Sequence, residues 1–140
     1  MNIYIYNKLP KEAHEIREVV FVREQGFCKE FDEMDGFAKH MVLYDGNIAI
    51  ATCRLFQREI PGDYCIGRIA VMKEYRGKKV GTYLLKAAEE QIKKSGGKRI
   101  FLHAQARAEK FYEKQGYNSY GEIDKEEDCP HIWMCKNMLS

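Results

Sequence analysis

The stretch Ile69 to Leu85, IAVMKEYRGKKVGTYLL, constrains this chain more than any other. It reads as a strand, a basic glycine turn and a long amphipathic helix. A turn of this kind at a helix start exposes backbone N–H groups, with the positive end of the helix dipole behind them. That is an anion site, suited to phosphate or pyrophosphate.

The rest of the chain alternates around it. Asn2 to Tyr6 alternates apolar and polar residues and predicts a first strand. Pro10 opens a helix from Lys11 to about Gln25; Ala13, Ile16, Val19, Val20 and Phe21 approximate its apolar stripe and Gly26 stops it. The acidic segment from Phe27 to Lys39 predicts a loop with room for a short helical turn. His40 to Tyr44 and Ile48 to Phe56 are β-rich runs joined at Asp45-Gly46-Asn47, a hairpin signal. Tyr64 to Met72 is nearly continuous in apolar residues around Arg68, as in a central strand. The helix from Arg76 to Ser95 sets Val80, Leu84, Leu85, Ala87, Ala88 and Ile92 on one face, and Gly96-Gly97 ends it. Arg99 to Ala104 then reads as a strand, and Ala106 to Lys114 as a helix closed by Gly116. Two final strands, Tyr117 to Ile123 and Ile132 to Met138, flank an acidic loop from Asp124 to Asp128. The order β-α-β-β-β-α-β-α-β-β predicts an α/β fold with a mixed sheet, as one domain over residues 1–140.

Bulk properties narrow the partners. Lys plus Arg number 23 against 21 Asp plus Glu, a net charge of +2, too balanced to announce a nucleic acid or an anionic membrane. Local positive charge at Arg76, Lys78 and Lys79 is the exception. No apolar run approaches the roughly 20 residues of a membrane span. The start, MNIYIYNKLPKE, lacks the order of a secretory signal, so a cytoplasmic location is expected. Five cysteines without such a signal argue for reduced thiols, with Cys53 and Cys65 as small core residues. Cys129-Pro130-His131 with Cys135 matches no common zinc spacing, and no metal is expected.

The turn Arg76-Gly77-Lys78-Lys79-Val80-Gly81 is neither a Walker P-loop nor a dinucleotide fingerprint. Its setting carries more. It follows the strand GRIAV, precedes LLKAAEE, and lies about 30 residues before Phe111-Tyr112-Glu113-Lys114-Gln115-Gly116-Tyr117. This combination resembles the GNAT superfamily of acyl-coenzyme A N-acyltransferases. That family's turn carries Arg or Gln, two variable residues, Gly, one variable residue, then Gly or Ala. Arg76 and Gly81 match its ends, while Lys79 stands where the middle glycine usually sits. The segment FYEKQGY resembles the family's second motif. Val20 to Gln25, Asp32 to His40, Ala104-Gln105 and Pro130-His131 resemble a bacterial subgroup, the ElaA/YjcF-like acetyltransferases.

The resemblance implies a mixed, mostly antiparallel central sheet flanked by helices, with acetyl-CoA as cofactor. It implies that the fourth and fifth strands splay and that the pantetheine arm lies between them. Carried onto this chain, Ile69, Ala70 and Val71 would face the arm, Arg76, Gly77, Lys78, Lys79, Val80, Gly81 and Thr82 would hold the diphosphate, and Gln105 would reach the arm. The Val71 N–H would stabilise the developing oxyanion. Tyr112 would protonate the leaving thiolate. Arg23, Glu24, His40 and His131 are candidates for the acceptor side, with the loop Asp32 to Asp35. Many relatives use a glutamate of the fourth strand as base, but Cys65-Ile66-Gly67-Arg68 offers none. Glu24, His40, His103, His131 or a water chain remain. The implied activity is N-acetyl transfer to the amine of a small molecule or peptide, by a monomer or homodimer. The alternatives are a catalytically silent coenzyme A-binding module and a protein-interaction domain.

Overall fold

A computed structural model describes residues 1–138, so the last two positions of the expected domain lie outside the described residues. The strands are β1 (Asn2–Tyr6), β2 (Lys39–Asp45), β3 (Ile48–Gln57), β4 (Asp63–Val71), β5 (Arg99–Gln105), β6 (Asn118–Glu126) and β7 (Cys129–Asn137). The α-helices are α1 (Lys11–Arg17), α2 (Val80–Lys94) and α3 (Glu109–Lys114). The strands form one seven-stranded sheet in the order β1-β2-β3-β4-β5-β7-β6. Every described pairing is antiparallel except β4 with β5. The order of elements is the one expected from the sequence, and the sheet is mixed and mostly antiparallel.

Alternation along the strands divides the hydrophobic residues between two faces. On one face α2 buries Val80, Leu84, Leu85, Ala88 and Ile92 against Ile66, Ile100, Leu102 and Met134. Phe111 and Tyr112 of α3 pack against the same cluster. On the other face Ile16, Val20 and Phe21 pack on Ala70, whose neighbours Ile69 and Val71 belong to the α2 side. Cys53 and Cys65 are buried, and burial pushes their thiols up to about 12 and about 11. Among the described residues no helix is long and apolar enough to cross a membrane.

The structure differs from the sequence reading at three places. The first helix stays α-helical only to Arg17 and continues as a π-helix over Glu18–Glu24. The helix after the basic turn starts at Val80 rather than Arg76; residues 76–79 form the turn itself, behind a 3₁₀ turn at Lys73–Tyr75. The acidic segment Asp124 to Asp128 is mostly strand: β6 runs to Glu126, β7 begins at Cys129, and only Glu127 and Asp128 turn between them. Both carry positive φ, 48° and 65°, as a two-residue hairpin turn requires. Cross-strand pairing with β7 overrides the local charge there.

The acidic segment before β2 also holds a feature that apolar periodicity does not reveal. Asp32 caps the 3₁₀ turn Glu33–Gly36, and Asp35 points inward. Arg17 is 1 % exposed; it donates to Glu30 Oε2 at 2.9 Å and to Asp35 Oδ1 at 2.7 Å. Arg54 of β3 donates to Asp32 Oδ1 at 2.6 Å and to Asp35 Oδ1 at 3.0 Å. Arg68 of β4 contacts Glu30 Oε2 at 3.1 Å and Asp32 Oδ2 at 3.3 Å. Burial pushes the Asp35 carboxyl up, but the bonds and charge of Arg17, with Arg54, outweigh it and hold it at about 2. For Glu30 burial wins and the carboxyl is raised. Among the described residues Arg54 Nε is buried without a hydrogen-bond partner, packed under Gly67.

Such a cluster is worth little over an apolar replacement, but losing one member strands the others. Arg17→Met leaves Glu30 and Asp35 short of their buried cation. Urea unfolding should show a loss of about 3–5 kcal/mol for that variant.

Candidate active site

β4 and β5 run side by side only at Asp63↔Arg99, Tyr64↔Ile100 and Cys65↔Phe101. Beyond Cys65 they part. A bulge accompanies the parting: opposite β3, Thr52 pairs with Ala70 and Arg54 with Gly67, so Arg68 and Ile69 together face Cys53. Arg68 takes φ 52°, a left-handed conformation uncommon for a large residue. Its guanidinium is anchored on Glu30 and Asp32. The bulge bends β4 while β3 stays paired to it.

A cavity of about 380 Å³ fills the gap. It joins the two faces of the sheet. Leu102, Ala104 and Tyr112 line it from the α2 side; Phe27, His103, His131 and Trp133 line it from the other. Ile69 and Gln105 lie on its wall.

The register fixes where the β4 backbone points. Met72 N–H donates to Ile50 O of β3 at 2.8 Å. By alternation Ala70 also turns its backbone to β3, and Val71 turns its N–H away, toward the gap. Ala70 is therefore the one residue of this trio whose backbone the structure directs away from the cleft. The carbonyl of Val71 is occupied: it accepts from Arg76 Nε at 3.0 Å.

Arg76 also holds Glu24 with two contacts at 2.9 Å. Its guanidinium thus clamps the π-helix end to the end of β4 and is not presented at the turn as a free cation. That bond, with the charge of Arg76, lowers the Glu24 carboxyl and keeps it ionised. Neither residue was expected in this role.

In the turn itself, Arg76 N–H bonds back to Lys73 O at 3.3 Å and Tyr83 N–H to Lys79 O at 3.1 Å. Between them, among the described residues, the N–H groups from Gly77 through Thr82 meet no backbone acceptor. Gly77 (φ 78°) and Lys79 (φ 62°) both lie in the left-handed region, which makes the turn tight enough to point successive N–H groups outward. Lys78 lies over the Tyr75 ring at 5.7 Å, and Val80 is buried. A Cβ on Gly81 would meet Phe111 at 3.7 Å and Val71 at 3.9 Å, ordinary contact, so space for one methyl exists and little more. Thr82 Oγ1 accepts weakly from Gln115 Nε2 at 3.4 Å.

The remaining expected residues separate. Tyr112 is on the cavity wall, and burial raises its phenol, with the charge of Cys53 adding to it, so the hydroxyl keeps its proton at neutral pH. Gln105 donates to Gln25 Oε1 at 2.7 Å and accepts from Arg107 at 2.8 Å. His131 is on the cavity wall and 5 % exposed. His40 is not brought to the cavity. It is buried with Nε2 3.1 Å from Asp35 O, and burial lowers it toward the neutral ring. Arg23 is exposed and pairs with Glu18 at 3.1 Å, away from the cavity. Among the described residues no cluster of His, Cys, Asp and Glu is arranged for a metal.

Sequence reasoning missed the acidic wall. Asp124 and Glu126 share one face of β6, because residues two apart on a strand point the same way. Asp124 Oδ1 lies 2.8 Å from His103 Nε2, and Glu126 Oε2 lies 3.2 Å from His103 Nδ1. Glu127 accepts from Cys28 N–H at 2.7 Å and Lys29 N–H at 3.0 Å, which ties the hairpin tip to the loop beside the cavity. The period-two spacing of Asp124 and Glu126 was the available signal, hidden by reading the segment as a loop.

The acetyltransferase (GNAT) domain family matches residues 10–138. An uncharacterized N-acetyltransferase of Bacillus subtilis (strain 168), YjcF, is 34 % identical over 130 residues, 91 % of each chain. The crystal structure of Escherichia coli ElaA superposes with a TM-score of 0.86 at 27 % identity, covering 98 % of this chain and 100 % of that one. An aminoglycoside 6'-N-acetyltransferase complexed with coenzyme A shares the fold, with a TM-score of 0.80 at 16 % identity over 100 % of this chain and 98 % of that one.

Lys79 is the strained position of the turn. Lys79→Gly removes a left-handed side chain and should stabilise the protein by about 1 kcal/mol in thermal or urea unfolding. A loss of stability on that change would mean that the lysine side chain holds the turn.

Proposed function

The chain belongs to the GNAT acetyltransferase family, and we propose that it moves an acetyl group from acetyl-CoA to a primary amine of a small molecule or peptide, by direct attack with both substrates bound. The observation that carries this reading is the cavity at the β4/β5 parting. Tyr112 of α3 lines it on one face, and Phe27, His131 and Trp133 line it on the other. One substrate enters from each side, and they meet where the strands separate.

The residues present fit coenzyme A. The N–H row from Gly77 through Thr82, which meets no backbone acceptor among the described residues, suits a diphosphate, backed by the dipole of the fifteen-residue α2. Ile69 and Val71 on β4 and Gln105 on β5 would flank the pantetheine arm, as an added strand would be flanked. Acetyl-CoA supplies an activated thioester there. Arg76 contributes by holding the turn, β4 and Glu24 together rather than by ion pairing with phosphate.

The chain then has three tasks. The Val71 N–H, free of β3, is aimed at negative charge developing on the thioester oxygen. Tyr112, kept protonated by burial, donates its proton to the departing sulfur. An alkylamine of pKa near 10.4 is neutral in only about one molecule in a few thousand at pH 7, so a base must take its proton. Glu24 is a poor choice, because its carboxylate is spent on Arg76 and lowered. His40 is out of reach.

Tyr112→Phe separates catalysis from cofactor binding. Thiol release with an accepted amine should fall about 100-fold, while calorimetry gives the wild-type affinity for acetyl-CoA. An unchanged rate would remove Tyr112 from the chemistry. Failure of the wild type to bind acetyl-CoA would remove the proposed function itself.

A further inference from the structure

We propose that His131 is the general base for the acceptor amine and that Glu126 positions it; this rests on the amine-transfer reading above. His131 stands on β7 opposite Gln105 of β5 and Asp124 of β6, in the wall of the cavity. Its Nδ1 lies 2.8 Å from the Cys129 carbonyl oxygen. A carbonyl only accepts, so Nδ1 carries a proton and the neutral ring keeps its lone pair on Nε2. That is the form a base needs, and it is imposed by the main chain of its own strand.

Nε2 lies 3.6 Å from Glu126 Oε2. This is too long for a strong hydrogen bond, so the lone pair stays free. It is close enough to stabilise the imidazolium that forms once Nε2 has taken a proton. Glu126 is held from behind by His103 Nδ1 at 3.2 Å, and His103 Nε2 is held by Asp124 at 2.8 Å. His103 is wedged between Trp133, stacked at 4.6 Å, and His131 at 4.8 Å. Among the described residues, the titratable groups in contact with His131 or directly across from it are His103 from β5 and Asp124 and Glu126 from β6, and Glu127 and Lys29 line the same cavity. Phe27, in the loop after the π-helix, covers it edge-on at 6.4 Å. The ring is 5 % exposed and lines the open cavity, so its proton leaves for solvent through that cavity.

The proton balance closes. His131 Nε2 takes one proton from the acceptor's ammonium and releases it to solvent. The amine nitrogen forms the C–N bond as the C–S bond breaks. The nitrogen sheds its second proton to water in the cavity, and Tyr112, having given its proton to sulfur, regains one from that water. The products are the amide, the thiol and one proton in solvent.

The test uses the full chain, acetyl-CoA and a panel of spermidine, 2-phenylethylamine, L-lysine and a tetrapeptide with a free N-terminus, read by thiol release across pH. The wild-type kcat should fall on the acid side; His131→Gln should lower kcat about 100-fold with the acetyl-CoA KM unchanged, and should abolish that fall. Glu126→Gln should cut kcat about tenfold and move that fall to a different pH while retaining it. A His131→Gln enzyme with wild-type kcat and pH profile overturns the proposal and leaves the transfer reading standing. A wild type that binds acetyl-CoA yet releases no thiol with any amine overturns the transfer reading, and this proposal with it. Imidazole ¹⁵N NMR of the wild type needs no acceptor and no variant to fold. It should show the Nδ1–H tautomer at high pH; the Nε2–H tautomer overturns the proposal.

Discussion

The parting of β4 from β5 is the constraint on which the rest depends. Two strands that stayed paired would bury the Val71 N–H in a ladder and close the cavity. They part because β4 carries one residue too many opposite β3, and the surplus falls at Arg68. A large residue at positive φ costs on the order of 1–3 kcal/mol and persists only when its surroundings hold it. Here Glu30 and Asp32 hold its guanidinium. Those carboxylates are in turn fixed by Arg17 and Arg54. The buried ion cluster beneath α1 is thus the support of the bulge, and the bulge is the support of the site.

This division of labour decides which charges are available to substrates. Arg17, Arg54 and Arg68 balance Glu30, Asp32 and Asp35 inside the protein. Arg76 balances Glu24. What is left for a phosphorylated ligand is mainly the backbone of the turn, and what is left for an acceptor is the histidine and carboxylate wall of β5, β6 and β7. The two sets lie toward opposite faces of the sheet and communicate through the gap, which is the layout a two-substrate transfer needs.

Much of this is legible in the sequence itself. The order of elements follows from period-two and period-3.6 patterning, because each pattern here has one buried face. The turn was legible because Gly77 and Gly81 bracket a basic helix start. The place of Tyr112 on the cavity wall was legible only through its motif. Three things were not. Arg17 looks like an ordinary helix-surface residue, since its partners Glu30 and Asp35 come from a segment that reads as a solvated loop. Arg76 looks like a phosphate ligand, and only the fold shows Glu24 and the Val71 carbonyl claiming it first. The strand character of Asp124 to Glu126 is invisible to local propensity, because pairing with β7 creates it.

The most direct measurement is a crystal structure with coenzyme A bound. The account predicts diphosphate oxygens at about 3 Å from main-chain nitrogens between Gly77 and Thr82, the arm between β4 and β5, and the sulfur within reach of the Tyr112 hydroxyl. A ligand seated elsewhere, or a bound form in which β4 and β5 pair along their full length, would contradict it.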